Sequence, residues 1–221
     1  MTKHMNIAID GPAGAGKSTL AKEIAQRLGI VYLDTGAMYR AVGLHVLNHQ
    51  ADPKDTQAVL SLLPSADVQV VYEDGVQKIL LNGQDVGSEI RENRVSAAAS
   101  DVAVIPQVRL KLVELQREIA SKADVVMDGR DIGTYVLPDA NYKFFVTASA
   151  QERARRRYLE LKQKGYDRPQ EEILQEIVAR DETDSSRDFA PLKQAEDARL
   201  IDTTTMSIEQ AVATVQGFLK E

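Results

Sequence analysis

Residues Gly11-Pro12-Ala13-Gly14-Ala15-Gly16-Lys17-Ser18 set glycines, a lysine and a hydroxyl at the spacing of a phosphate-binding loop. The glycines let backbone N–H groups turn inward around an anion. A helix opening near Lys17 would add its positive dipole end at the same point. Lys17 can then reach the β and γ phosphates of a nucleoside triphosphate, and the Ser18 hydroxyl can ligate Mg²⁺. A ligand-free glycine turn would give the same bare pattern. Here the strand "NIAID" at 6–10 precedes the loop and a helical stretch at 17–28 follows it, which is the context that nucleotide binding requires.

A second group of residues suited to anions is the arginines. They recur beside acidic residues in "DGRD" (128–131), "ERARRR" (152–157) and "ARDETDSSRD" (179–188), with Arg40 and Arg109 earlier. Phosphoryl transfer between two anions relies on positioning and on stabilising charge spread over the transferred group, so it needs such cations. In a helix over 150–164, Arg153 and Arg157 share a face with Arg156 beside them. A solvated basic face paired with Glu152 and Glu160 is the alternative. The run holds arginine without lysine, which favours bidentate phosphate contacts. For Arg180 and Arg187, local salt bridges with the surrounding aspartates remain an equal alternative. No "NKxD" guanine-reading string occurs, which argues against a GTP switch.

The elements that must position these groups follow an α/β rhythm. Strands are expected at 6–10, 30–34, 125–128, 142–147 and 199–202, separated by helical stretches, the pattern of a parallel sheet between helices. Gly29 sits where a helix would end. Residues 67–87 alternate apolar and polar around Asp74-Gly75 and Asn82-Gly83, predicting a small antiparallel three-stranded excursion. The charged stretch 148–192 reads as two helices joined near "GYDRP".

The 221 residues, 43% of them hydrophobic, suffice for a sizeable core. Lys and Arg number 27 against 33 Asp and Glu, a net charge of −6 that makes nucleic acid a poor partner. Cysteine is absent, which excludes disulfides and thiolate metal sites. The opening "MTKHMN" lacks the apolar stretch of a signal peptide, and no segment reads as a membrane span. A cytoplasmic monomer without a membrane or nucleic-acid partner is the default expectation. Met1–His4 read equally as a native extension or an appended remnant.

"GPAGAGKST", "YLDTGAMYRA", "VVMDGRDIGT" and "ARDETDSSRDFAPL", in this order, resemble the bacterial cytidylate kinase (CMP kinase) family, and the excursion at 67–87 is similar to that family's insert. The resemblance covers the chain from Asn6 onward. It implies a P-loop kinase core with a five-stranded parallel sheet (1–34, 94–147 and 193–221), a monophosphate-binding region (35–93) and a helical lid (148–192). It also implies transfer of the γ-phosphoryl of ATP to CMP or dCMP with Mg²⁺. ATP would lie on Gly11, Pro12, Ala13, Gly14, Ala15, Gly16, Lys17, Ser18 and Thr19. The CMP phosphate would meet Arg40, Arg130 and Arg187, the cytosine Ser100, Arg109 and Asp131, and the sugar Arg180 and Asp184. Thr35, where many members have serine, would be a further substrate contact, and Arg153 and Arg157 would approach ATP or the transferring group.

Residue chemistry supports part of that assignment. A carboxylate accepts from the cytosine N4 amino group and repels the O4 of uracil, so Asp131 can reject UMP, with Arg109 donating to the acceptor side of the base. For Asp131 the alternative is a salt bridge with Arg130 or a helix cap before "IGT". Asp128 ends an apolar strand and reads as a Mg²⁺ neighbour, through water or directly. Asp10 reads as an acceptor for loop backbone, and the three histidines have no assigned role. The rival readings are a UMP/CMP or other small-molecule P-loop kinase and, more remotely, a nucleotide-binding regulatory protein.

Overall fold

Residues 4–73 and 75–219 are described in a computed structural model. Met1–Lys3, and the aspartate of the expected Asp74-Gly75 turn, lie outside the described residues.

β1 (Asn6–Asp10) leads through the glycine loop into α1 (Lys17–Leu28), and β2 (Val31–Asp34) follows. After α2 (Thr35–Asn48) and α3 (Thr56–Leu62) come β3 (Val68–Glu73), β4 (Val76–Leu81) and β5 (Gln84–Asp85). α4 (Asn93–Val102) and α5 (Pro106–Lys122) lead to β6 (Val125–Gly129), a π-helical turn at Ile132–Val136 and β7 (Tyr142–Thr147). α6 (Ala150–Gln163), α7 (Gln170–Ser186), β8 (Arg199–Asp202) and α8 (Ile208–Leu219) complete the chain. The five-stranded parallel sheet has the order β2-β6-β1-β7-β8, and β3-β4-β5 form a separate antiparallel sheet. The expected fold class is therefore the observed one.

The chain divides into two compact units: residues up to Tyr32 with those from Ala123 onward, and Leu33–Lys122. α4 and α5, which the sequence division places with the core segments, lie in the second unit.

In the first unit β1 is central and almost wholly buried, as an apolar run in a parallel sheet should be. Ile7, Ile9, Val126, Phe144, Val146 and Ile201 present one face, onto which α1 lays Leu20, Ala21 and Ile24 and α8 lays Val212 and Val215. Gly29 ends α1 at φ 66°, the left-handed cap expected there. Ala154 and Leu161 of α6 pack with Ile173 and Ile177 of α7 in a small separate core.

In the second unit α2 crosses α4 at Gly43, where a Cβ would stand 3.0 Å from the Ala99 amide nitrogen and 3.1 Å from the Ala98 Cβ. The run "SAAAS" in α4 is the small-residue counterpart that permits this approach. Asn82 and Gly83 join β4 to β5 with φ of 52° and 80°, the paired positive values of a type I′ hairpin turn.

Two glycines give opposite expectations. A Cβ at Gly11 would sit 1.9 Å from the Val146 carbonyl oxygen at a φ of +144°, so Gly11→Ala should prevent the loop from closing on β7. Gly217, inside α8 with nothing within 4 Å of an added Cβ, should gain about 0.5–1 kcal/mol on change to alanine. Urea unfolding of Gly217→Ala and the soluble yield of Gly11→Ala check the pair.

Candidate active site

The glycine loop leaves the C-terminal end of the central strand β1 and closes on the N-terminus of α1. Gly14 and Gly16 adopt φ of 77° and 88°, and Gly16 is the residue immediately before the helix. Lys17 is buried, and its Nζ donates to the Pro12 carbonyl at 2.7 Å. Burial, reinforced by the Arg130 guanidinium, pushes the Lys17 ammonium down to about 7, against the pull of Asp128, Asp10 and Asp184.

Ser18 Oγ donates to Asp128 Oδ2 at 2.8 Å, and the Tyr32 hydroxyl donates to Asp128 Oδ1 at 2.7 Å. Ser18 and Asp128 thus offer adjacent hard oxygens, the donor chemistry that suits Mg²⁺ alongside waters and phosphate oxygens.

Asp10 performs a task that the sequence suggests only in outline. Its carboxylate accepts from the backbone N–H of Ile132 and of Gly133, each at 2.7 Å. The loop it binds is therefore the π-helical turn after "DGRD", and Asp10, not Asp131, supplies the side-chain oxygens to that turn's first amides. Burial pushes Asp10 up to about 6, only partly offset by the two amides.

Arg130, Asp131, Arg180, Asp184 and Arg187 form one cluster. Arg130 Nε donates to Asp184 Oδ2 at 2.7 Å, and Arg187 lies 3.8 Å from Asp184 and 3.7 Å from Asp131. The Arg187 and Asp131 side chains are each only 5% exposed. Burial alone would raise Asp184, but Arg130, Arg180 and Arg187 together hold it below the usual carboxylate range. Ala190, at φ 48°, turns its carbonyl to accept from Arg187 Nε at 2.7 Å.

On α6 the arginines divide. Arg153 is buried: its guanidinium takes both oxygens of Asp181 at 3.1 and 2.6 Å, the Ala148 carbonyl at 2.9 Å and the phosphate-loop Ala13 carbonyl at 3.1 Å. Arg155 and Arg156 pair with Glu152, and Arg157 pairs with Glu160 at 2.7 Å. The alternative of a self-paired basic face thus describes 155–157 but not Arg153. Arg156 also donates to the Thr203 carbonyl at 2.6 Å, while the Thr203 hydroxyl donates to Ala15 O at 3.0 Å, tying the segment after β8 to the phosphate loop.

The second unit carries Thr35, Arg40, Ser100 and Arg109. Thr35 is buried at the first position of α2, capped by Asp34, which accepts from Ala37 N at 2.9 Å and from Arg40 Nη2 at 2.8 Å. Arg109, 1% exposed, lies with its Cζ 5.4 Å from the Tyr39 ring centroid and donates to Ala103 O at 3.3 Å. Ser100 is half-buried on α4, just before that carbonyl. Sequence reasoning missed Tyr32, Asp34, Gln77, Asp181 and Thr203. Asp34 lies inside the quoted "YLDTGAMYRA" and its N-cap position before a helix was the available clue; the other four are chosen by tertiary contact.

A glycine-rich anion cradle at the end of a central parallel strand, with a buried lysine and adjacent hydroxyl and carboxylate, defines a P-loop kinase architecture. A shikimate kinase from Bacteroides thetaiotaomicron has this fold at a TM-score of 0.50 and 15% identity, over 98% of this chain and 99% of that one. A gluconokinase from Sinorhizobium meliloti has it at 0.50 and 12% identity, over 100% and 96%. Within that class the chain belongs to the cytidylate kinase family, whose model matches residues 7–221. The cytidylate kinase of Caldicellulosiruptor bescii is 54% identical over 96% of this chain and 94% of its own, and that of Halalkalibacterium halodurans 49% over 99% of both.

Asp10 gives a pH prediction. Between about pH 4 and 6 the unfolded chain has lost this proton while the folded protein keeps it, so the folded state binds more protons and loses stability as pH rises. Relative to Asp10→Asn, the parent protein should lose on the order of 1–3 kcal/mol between pH 4 and 7. Urea unfolding of both proteins across that range is the measurement, and parallel curves would contradict it.

Proposed function

We propose that the protein transfers the γ-phosphoryl of ATP to CMP, and to dCMP, by direct in-line attack of a phosphate oxygen of the acceptor. Family membership supports the reaction. The observation that carries it on this chain's own residues is the cluster of Arg130, Arg180 and Arg187 around the buried Asp184, in the same compact unit as Lys17. Lys17 and the backbone of Gly11–Thr19 bind the triphosphate. Ser18 and, through water, Asp128 would hold Mg²⁺, which would supply positive charge against the triphosphate. Arg130, Arg187 and Arg40 hold the acceptor phosphate, and Arg180 and Asp184 the sugar.

No covalent intermediate is needed, because the attacking oxygen is already anionic. In free water such an attack is slow; aligned between fixed cations it gains from positioning and from charge stabilisation. Ser100, Arg109 and Asp131 read the cytosine, with Thr35 as a further substrate contact. Arg153 and Arg157, in the 148–192 lid, move toward the transferring group when that lid shuts out water. Arg153 must then exchange part of its present grip on Asp181 for phosphate.

ADP release from ATP with CMP, dCMP, UMP, AMP and shikimate in parallel tests this reading. CMP and dCMP should turn over and UMP should be poor. Asp131→Asn should narrow the CMP-over-UMP preference at least about tenfold. Arg187→Met should lower kcat/KM for CMP by about 10²–10³ while ATP still binds. Strong UMP turnover in the parent protein would overturn the role of Asp131, and ADP release without an acceptor would overturn the transferase itself.

A further inference from the structure

The small antiparallel sheet β3-β4-β5 has no part in the chemistry derived so far, yet one of its side chains reaches the acceptor side of the second unit. Gln77, half-buried on the middle strand β4, clamps the main chain of Asp34 from both sides. Its Oε1 accepts from Asp34 N at 2.7 Å and its Nε2 donates to Asp34 O at 3.3 Å. The clamped residue has both side-chain oxygens committed. Oδ1 caps α2 through Ala37 N, and Oδ2 takes Arg40 Nη2.

The arginine at the end of this chain still has capacity. Its Nε is buried without a hydrogen-bond partner among the described residues. Buried guanidinium donors are nearly always satisfied, so an unmet one beside a helix N-terminus points to a missing anionic acceptor. Gly36 makes the arrangement possible: a Cβ there would stand 3.2 Å from both Arg40 Nη1 and Asp34 Oδ1, in the space where the guanidinium folds back over the first turn.

We propose that Gln77 is a positioning residue for the acceptor phosphate, acting through Asp34 on Arg40. This rests on the reading of Arg40 as a ligand of that phosphate. Without the amide clamp, Asp34 can rotate about its backbone and the Arg40 head group loses its fixed partner. Placing the guanidinium then falls to the substrate, so affinity for CMP drops while the transfer step is preserved. The small sheet accordingly serves acceptor binding and not ATP binding.

The test is a double-mutant cycle in a coupled ADP assay with the full-length protein. Gln77→Met, nearly isosteric and without either polar end, should raise KM for CMP about 3- to 10-fold. Its kcat and its KM for ATP should stay within about twofold. Gln77→Leu is the second variant and should behave alike, with thermal melting confirming that both are folded. Lys78→Ala, which removes the pairing of Lys78 on β4 with Glu73 at the end of β3, controls for general damage to the small sheet and should leave every constant unchanged. In an Arg40→Met background the Gln77 substitution should add nothing. If Arg40→Met raises KM for CMP but the Gln77 variants do not, or if their effect persists in full without Arg40, the positioning role is overturned and the function of Arg40 stands. If Arg40→Met leaves KM for CMP unchanged, the reading of Arg40 itself falls, and the role of Gln77 with it.

Discussion

The ammonium of Lys17, buried at the carboxyl end of the central sheet, is the constraint around which the first unit is arranged. Moving such a charge out of water costs several kcal/mol unless other charges and dipoles replace the lost hydration. The chain meets this with carboxylates delivered by separate elements: Asp10 from the end of β1, Asp128 from the end of β6 and Asp184 from α7. Those carboxylates are themselves buried, and Arg130, drawn to Asp184, adds positive charge back beside the lysine. The balance leaves the ammonium well below its ordinary range.

The same logic recurs around the arginines. Arg40 rests on Asp34, Arg130 on Asp184, Arg153 on Asp181, Arg157 on Glu160, and Arg187 near Asp131 and Asp184. A carboxylate that holds a guanidinium in place before the substrate arrives removes part of the ordering cost from the binding step. It also competes with phosphate for the same donors. Arginine tolerates this competition better than lysine, because its planar fork can serve a carboxylate on one edge and a phosphate on another. Salt bridge and substrate ligand are therefore not opposed readings of these residues.

How far the sequence discloses this depends on the range of each interaction. The parallel sheet, the Gly29 cap and the Asn82-Gly83 turn were legible because each is written in a local pattern of polarity or backbone freedom. The glycine loop between β1 and α1 was legible for the same reason, since its residues are contiguous. The strand order, the crossing of α2 and α4 at Gly43, and the partners of Arg153 and Arg40 were not. Asp181 lies 28 residues from Arg153, and Gln77 lies 43 from Asp34, separations at which no periodicity survives. Asp131 shows the limit most clearly. An aspartate directly before "IGT" is a reasonable cap by local rules, but Asp10, 122 residues from Ile132, takes that position across the sheet.

That substitution of one aspartate for another ties two functions together. Asp10 is the last residue of the strand that launches the glycine loop, and its side chain fixes the amides that follow Arg130 and Asp131. Asp131 makes no side-chain cap to that turn, and its carboxylate lies 3.7 Å from Arg187. Gly133 completes the arrangement, since a Cβ there would press within 3.1 Å of Lys143 Cδ and 3.4 Å of Asp10 Oδ2. The spacing between the glycine loop and the "DGRD" segment is thus set through one buried carboxylate and the backbone it holds.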